Sequence, residues 1–456
     1  MNENSPFFIE PRSGFRRSYS RLALDVGIPT ASAWFDALDG NSNAAEELAR
    51  RDVACVDAAD SDDSDTGLLD APGCYRVFVG VVNALVSGRE WELSAEAGGR
   101  SIGADELLVN RPSPVVPRDP PGGRVRDSGG VLPEERVSGG DDLGSLILRS
   151  PAKLGIRTSG TTGRPKLVWH SMQSLARAVK TGERHSTDVW GFAYEPTHFA
   201  GLQVFLQALA NQNPIIWLFD LAPEEARVAI KEYGVTHLSA TPTFLKMLCG
   251  GVRPMVGVRS VTLGGEAFDP AAFAEVSRAF PKARVRNIYA STELGSLLQA
   301  DGDVFSVPTR LRRKLKVEEG ELHVAGEMLA QSLLCDEGAF FPTGDRVEVV
   351  TEEPLSFRFI GRRGDWINVG GTKVNPHKIE AAISELAGVS AVRAFGQPNS
   401  VIGNIVACEI VLADEAALTE NDLKQQLSDK LSRYEMPQIW KYVGELSVTR
   451  TGKKQR

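Results

Sequence analysis

The chain has 456 residues, enough for two or three domains and a sizeable core, with 42% hydrophobic and 24% charged residues. A formal net charge of −8 argues against nucleic acid or a general membrane surface as a partner. Cys55, Cys74, Cys249, Cys335 and Cys408 form no C-x-x-C pair and no metal-ligand spacing, so they read as reduced thiols of a cytoplasmic protein.

In chain order, residues 1–20 carry charges and prolines but no apolar stretch of the signal-peptide kind. Residues 1–110 alternate helix-like and strand-like patterns, and the acidic run 57–65 reads as a solvated loop without EF-hand spacing. The apolar run 75–86 is too short to span a bilayer, and periodicity leaves it either a buried helix or a strand. Residues 111–142, rich in Pro, Gly and charge, read as an exposed connection, and the short apolar run 143–148 follows. Beyond it, 214–219 and 258–263 read as buried strands and 223–233 and 270–280 as helices, which predicts a largely parallel α/β sheet. From about residue 362 the pattern changes: helices over 380–386 and 420–431 and strands over 389–395 and 406–412 predict a small α+β domain.

Chemistry concentrates in short motifs. Thr158-Ser159-Gly160-Thr161-Thr162-Gly163-Arg164-Pro165-Lys166 mixes hydroxyls, glycines and cations, as a loop wrapping phosphate oxygens requires, but it lacks the G-x-x-x-x-G-K-[ST] spacing. Then come Pro196-Thr197-His198-Phe199-Ala200-Gly201, Gly264-Gly265-Glu266, Tyr289-Ala290-Ser291-Thr292-Glu293, Thr343-Gly344-Asp345, Gly361-Arg362, Gly370-Gly371-Thr372-Lys373 and a terminal Thr449-Arg450-Thr451-Gly452-Lys453. A turn or a solvated tail would account for several of these taken singly.

Their order and spacing, from about residue 154 to the end, resemble the adenylate-forming ligases: acyl- and aryl-CoA synthetases, peptide-synthetase adenylation domains and luciferases. The resemblance implies a large N-terminal α/β domain with parallel sheets (1–361), a hinge (362–365) and a small mobile α+β domain (366–456). It implies that Thr158, Ser159, Gly160, Thr161, Thr162, Gly163, Lys166, Gly265, Glu266, Tyr289, Asp345 and Arg362 bind the nucleotide. Tyr289 would stack on adenine and Asp345 would hold the ribose hydroxyls. By the same resemblance Thr292 bonds the α-phosphate, Glu293 binds Mg²⁺, Lys453 is the catalytic lysine, and His198, Gly264 and Ala290 border the acid pocket. Gly370 and Gly371 would line the thiol tunnel.

The implied reaction joins a small carboxylic acid to ATP as an acyl- or aryl-adenylate, then passes the acyl group to CoA or to the phosphopantetheine of an acyl or peptidyl carrier protein. Rival readings are an acyl-AMP ligase loading only a carrier, and a non-catalytic nucleotide-binding homologue. Departures from the family pattern are Ala290 in place of the usual Gly, Ser447 in place of Pro, a shortened stretch between Glu293 and Asp345, and Gly364 at a hinge position that is commonly Asp or Lys. Tyr194-Glu195-Pro196 lacks the Asp that holds an α-amine, which favours an aryl or acyl acid. Arg310, Arg312, Arg313, Lys314 and Lys316 read as solvated surface, with a CoA phosphate or an acidic carrier protein as the weaker alternative.

Overall fold

The computed structural model describes residues 6–18, 22, 78, 81, 82, 85, 90–93, 108–109, 150–158, 166–250, 254–330, 333, 338–399, 403–413, 418–444 and 446. The expectations for 57–65, 111–142 and 143–148, for Ser159, Gly160, Thr161, Thr162 and Gly163, and for Lys453 lie outside these residues.

An eight-stranded sheet runs in the order Gly295–Ala300, Arg284–Ser291, Ser260–Gly264, His237–Ala240, Trp190–Phe192, Ile215–Trp217, Pro6–Glu10, Phe15–Ser18. Its inner pairings are parallel and its two outermost are antiparallel, as expected for strands alternating with helices. Prolines set where helices begin. Pro223–Glu232, Pro242–Cys249 and Pro270–Ala279 each start with Pro after an extended residue, where its missing N–H costs nothing. Asp269 Oδ1 accepts from the Ala271 and Ala272 amides, and Thr241 Oγ1 from Phe244, completing two of these caps.

The ambiguous run 75–86 resolves at its described positions. Phe78, Val81, Val82 and Leu85 are helical and buried, at i, i+3, i+4 and i+7. Phe78 stacks on Phe205 at 4.4 Å and meets Phe192 edge-on at 5.2 Å, so the helix seals one face of the sheet.

Two further sheets complete the large part. One has the order Leu108–Val109, Glu90–Leu93, Lys153–Thr158, Lys166–Ser171. The other is antiparallel: Val304–Ser306, Ser356–Arg362, Phe340–Thr351, Glu321–Ala325, Leu315–Glu318.

A small sheet follows, with the order Thr372–Val374, Ile367–Val369, Gly403–Leu412, Val389–Asn399, and with Ile439–Tyr442 parallel to Gly403–Leu412. Its own core includes Ile379, Ile383, Val392, Val406 and Leu423. The first helix here runs Pro376–Ser384, four residues earlier than the expected start at 380, because Asn375 caps it and Pro376 opens it. The second is Glu420–Leu427, shorter than the expected 420–431, although Leu431 remains buried in the same core. The small part touches the large one where Lys246 Nζ donates to the Ser390 carbonyl at 2.7 Å and where the Asn375 amide donates to the Ile360 carbonyl. Among the described residues no helix is long and apolar enough to cross a membrane.

Candidate active site

A cavity of about 1890 Å³ runs along one face of the large sheet, from Trp190, His237 and Ser260 at the N-terminal ends of the strands to Gly264 and Ala290 at their C-terminal ends, where open α/β sheets place their ligands. Thr158, Lys166, His198, Gly264, Gly265, Glu266, Tyr289, Ala290, Thr292, Glu293, Asp345 and Arg362 all line it. Gly364, Gly370 and Gly371 do not line it.

Thr158 and Lys166 are register partners at the end of the antiparallel pair Lys153–Thr158 and Lys166–Ser171. Among the described residues the buried Thr158 hydroxyl has no hydrogen-bond partner, a polar atom beside the space a phosphate would need. Further along the same strand His170 is fully buried. Its Nε2 lies 2.6 Å from the Thr292 carbonyl, which can only accept, so Nε2 carries the hydrogen. Its Nδ1 lies 3.1 Å from Ser174 Oγ and accepts from that hydroxyl. Burial pushes the His170 pKa down to about 4, so the ring is neutral and this tautomer is fixed. His170 therefore ties the strand leaving the glycine-rich loop to the Thr292-Glu293 turn.

Asp345 is a hydrogen-bonding hub of the cavity wall. Tyr289 donates its hydroxyl to Asp345 Oδ2 at 2.6 Å, and Arg362 Nε donates to Oδ1 at 2.8 Å. Burial, then the Asp345 charge, raises the Tyr289 pKa well above that of an ordinary phenol, so the tyrosine stays a donor. Each carboxylate oxygen has a second lone pair, so Asp345 keeps acceptor capacity for a vicinal diol. One face of the Tyr289 ring packs on Phe359, with centroids 4.3 Å apart. A base stacking on Tyr289 must therefore use the other face.

The Thr343-Gly344-Asp345 turn is held from behind. Thr343 Oγ1 donates to the Leu322 carbonyl, and the Gly344 amide donates to Glu321 Oε1 at 2.9 Å. Gly344 has φ +78, which explains the glycine. Glu321 is buried and ion-paired with Arg363.

Elsewhere along the cavity His198 is the N-cap of the helix Phe199–Asn211, with its backbone extended. Gly201 sits in that helix's first turn, where any Cβ would overlap the Glu195 carbonyl oxygen, so the motif's glycine is a close-packing requirement. Tyr194 donates to the Gly264 carbonyl at 3.4 Å. Glu266 accepts from the Thr243 amide at 3.0 Å and from its hydroxyl at 2.8 Å. Its side chain thus caps the helix Pro242–Cys249 while the residue lines the cavity.

Gly370 and Gly371, at φ +57 and +89, form the two-residue turn between Ile367–Val369 and Thr372–Val374. Gly364 lies in the single turn Arg363–Asp365, with no atom within 4 Å of a Cβ built on it.

His170, Glu321 and Phe359 are site residues that the sequence motifs do not mark. Each acts through a partner distant in sequence, so only the pairing of strands reveals it.

The donor set fits a magnesium-bound nucleotide. Among the described residues no cluster of three His, Cys, Asp or Glu could hold a metal by itself. Mg²⁺ binds through one or two carboxylates and takes its remaining ligands from phosphate and water, which suits Glu293.

Residues 156–331 match the family described as AMP-binding enzyme, and residues 378–453 match the AMP-binding enzyme C-terminal domain. The 2-succinylbenzoate–CoA ligase of Staphylococcus aureus is 25% identical over 394 residues, covering 79% of this chain and 75% of that protein. ATP-bound MatB from Rhodopseudomonas palustris shares the fold with a TM-score of 0.55 at 22% identity, over 66% of each chain. The o-succinylbenzoate CoA synthetase MenE from Bacillus subtilis, in complex with its acyl-adenylate intermediate, has a TM-score of 0.52 at 20% identity, over 66% of this chain and 67% of that one. This chain spans about two thirds of the solved structures it matches. With both family domains in order, and with a large N-terminal and a small C-terminal part, the chain belongs to the adenylate-forming ligase superfamily of AMP-binding enzymes.

Proposed function

We propose that the protein activates a small aryl or acyl carboxylic acid with ATP and Mg²⁺ and then transfers the acyl group to the thiol of CoA. The observation that carries this reading is the convergence on one cavity of Tyr289, Asp345 and Arg362 at one end with Thr158, Lys166, Thr292 and Glu293 beside them. The curated relatives are named for ligation of 2-succinylbenzoate to CoA, and a structural neighbour is described with ATP and a magnesium ion.

In this mechanism Asp345 accepts from the ribose hydroxyls while Tyr289 and Arg362 hold it in place. Thr158 and Lys166 flank the phosphates, and Thr292 donates to the α-phosphate. Glu293 would hold Mg²⁺, which offsets charge on the phosphate oxygens. The acid's carboxylate, near His198, Gly264 and Ala290, attacks the α-phosphorus, and pyrophosphate leaves. Lys453 neutralises charge on the carboxylate and the α-phosphate, a contribution of about 3–4 kcal/mol for one preorganised donor. Rotation about residues 362–365 then withdraws Lys453 and brings the Gly370-Gly371 turn to the thiol path. The thiolate attacks the acyl carbonyl and AMP leaves. The large part would comprise 1–361 and the small part 366–456. The free, buried thiols of Cys249 and Cys408 fit a reducing, cytoplasmic setting.

Acid-dependent exchange of pyrophosphate into ATP, with AMP as the nucleotide product, tests the first half-reaction. ADP as the product would overturn it. Offering CoA and a pantetheinylated carrier protein side by side decides the acceptor.

A further inference from the structure

On its cavity face the large sheet carries a polar row beside the apolar Trp190 and Ile288. Side chains alternate along each strand, so Ser239, Thr262 and Arg286 point to the cavity, while Leu238, Val261 and Val285 are buried on the other face. The pairing places Thr262 beside both Ser239 and Arg286, and His237 beside Trp190. Thr262 Oγ1 donates to Ser239 Oγ at 2.7 Å. These rows recede from Gly264 and Ala290 toward the N-terminal ends of the strands. Arg286, four residues before Ala290, lies roughly 13 Å from it along an extended chain.

That far end is rich in donors and short of acceptors. Arg286 Nη1 donates to Gln299 at 3.1 Å, but its Nε is buried with no acceptor, and the indole Nε1 of Trp190 is buried in the same condition. Lys180 is held over this end by its backbone, which exchanges hydrogen bonds of 2.8 and 2.7 Å with the Gln207 side chain. Lys180 is exposed at the cavity rim, and partial desolvation, then the nearby cations Arg286, Arg184 and Arg284, lower its pKa. The carboxylates in this region are engaged. Asp301 pairs with Arg284 at 3.4 Å, and buried Asp188 is taken by His185 at 2.9 Å and His237 at 3.4 Å. A plain hydrocarbon tail would lie against the Arg286 and Lys180 charges without supplying an anion to neutralise them.

We infer that the acid activated here carries a second anionic group, a carboxylate or an equivalent oxyanion, bound by Arg286 with Lys180 at the end of the cavity remote from Thr292 and Glu293. This rests on the ligase reading of the site. Arg286 supplies a planar fork matched to a carboxylate, and the second charge at Lys180 completes the neutralisation. The distance suits a diacid built on one ring or a short chain. Arg286 is then the residue that sets specificity, and it takes no part in the bond-making steps.

The test compares matched acids, hexanoate against adipate and 3-phenylpropanoate against its para-carboxy analogue, by pyrophosphate exchange and by thermal shift of the full chain. The diacids should be preferred in both assays. Arg286→Met should lower the diacid-to-monoacid ratio of kcat/KM by about 10- to 100-fold, as loss of a charged hydrogen bond does. Arg286→Glu should turn the preference toward 6-aminohexanoate, a gain that misfolding cannot imitate. Monoacids used as well as diacids, with a ratio indifferent to Arg286→Met, would overturn the inference and leave the ligase reading intact. A diacid-specific thermal shift lost in Arg286→Met, with no exchange from any acid, would overturn the ligase reading and leave the anion site standing. No diacid-specific shift together with no exchange from any acid would overturn both.

Discussion

His170 shows how one buried side chain can tie a site together. Burial holds its pKa at about 4, below the ordinary 6.5, so the folded state favours the neutral ring. As pH falls, the unfolded chain takes up the proton first. The contribution is complete above pH 6.5 and is lost between pH 6.5 and 4, to about 3 kcal/mol. His170→Gln, whose amide can still donate to the Thr292 carbonyl, should flatten the stability profile across that window, measured by denaturant unfolding at a series of pH values. A profile as steep as the wild type's would place the acid sensitivity elsewhere. Asp345→Asn removes the charge that holds Arg362 and Tyr289. It should raise the KM for ATP by about 10-fold or more, since hydrogen bonds to charged groups are worth about 1.5–3 kcal/mol. An unchanged KM for ATP would exclude Asp345 from the ribose site. Tyr289, Thr292, Asp345 and Arg362 could be picked out of the sequence because their motifs are local strings. His170, by contrast, is one histidine in a strand, and nothing in Lys166–Ser171 announces a partner at Thr292.

At the scale of elements, the sequence revealed most where turn chemistry is strict. The turn at Gly370 and Gly371 needs two positive φ values, and glycine supplies both. Gly371→Ala should cost the hairpin about 1–2 kcal/mol. It should slow thioester formation from supplied acyl-adenylate while sparing pyrophosphate exchange. Equal loss in both would mean the hairpin acts on the fold alone. Helix ends are less legible: Asn375 as cap and Pro376 as first turn start the helix at 376, four residues before the apolar pattern begins at 380. The run 75–86 was undecidable because buried helices and buried strands are both apolar throughout. Its helical turns place Phe78 against Phe205 of the helix Phe199–Asn211 and against Phe192 of the sheet. Gly364 is absent from the glycines of positive φ, and a Cβ there meets nothing within 4 Å. Gly364→Ala should therefore be mild, whereas Gly364→Pro should fix φ near −65° and slow one half-reaction more than the other. Wild-type rates in both half-reactions for the proline variant would move the pivot to Asp365.

For the whole molecule, the alternation of strands and helices correctly indicated the parallel core of the large sheet. The antiparallel sheet between Val304 and Arg362 goes beyond the expected parallel core, although Leu315-Lys316-Val317-Glu318, Glu321-Leu322-His323-Val324 and Ser356-Phe357-Arg358-Phe359 carry the apolar–polar alternation of half-buried strands. Lys453→Ala should lower adenylation by about 10²–10³ while leaving thioester formation from supplied acyl-adenylate nearly intact, measured as separate half-reactions. Parallel losses would remove the lysine from the chemical step.

The pairing of Glu321 with Arg363 bears on how such a rotation would be guided. A pivot at Gly364 has Arg363 as its last fixed residue, and Arg363 is moored to a buried carboxylate that also grips the amide of Gly344. The axle is thus bolted to the floor of the ribose site, and the swing is confined to the side beyond it. Loosening the bolt, as in Arg363→Ala, would let the small part wander among many poses, slowing both half-reactions alike where a stiffened pivot slows one.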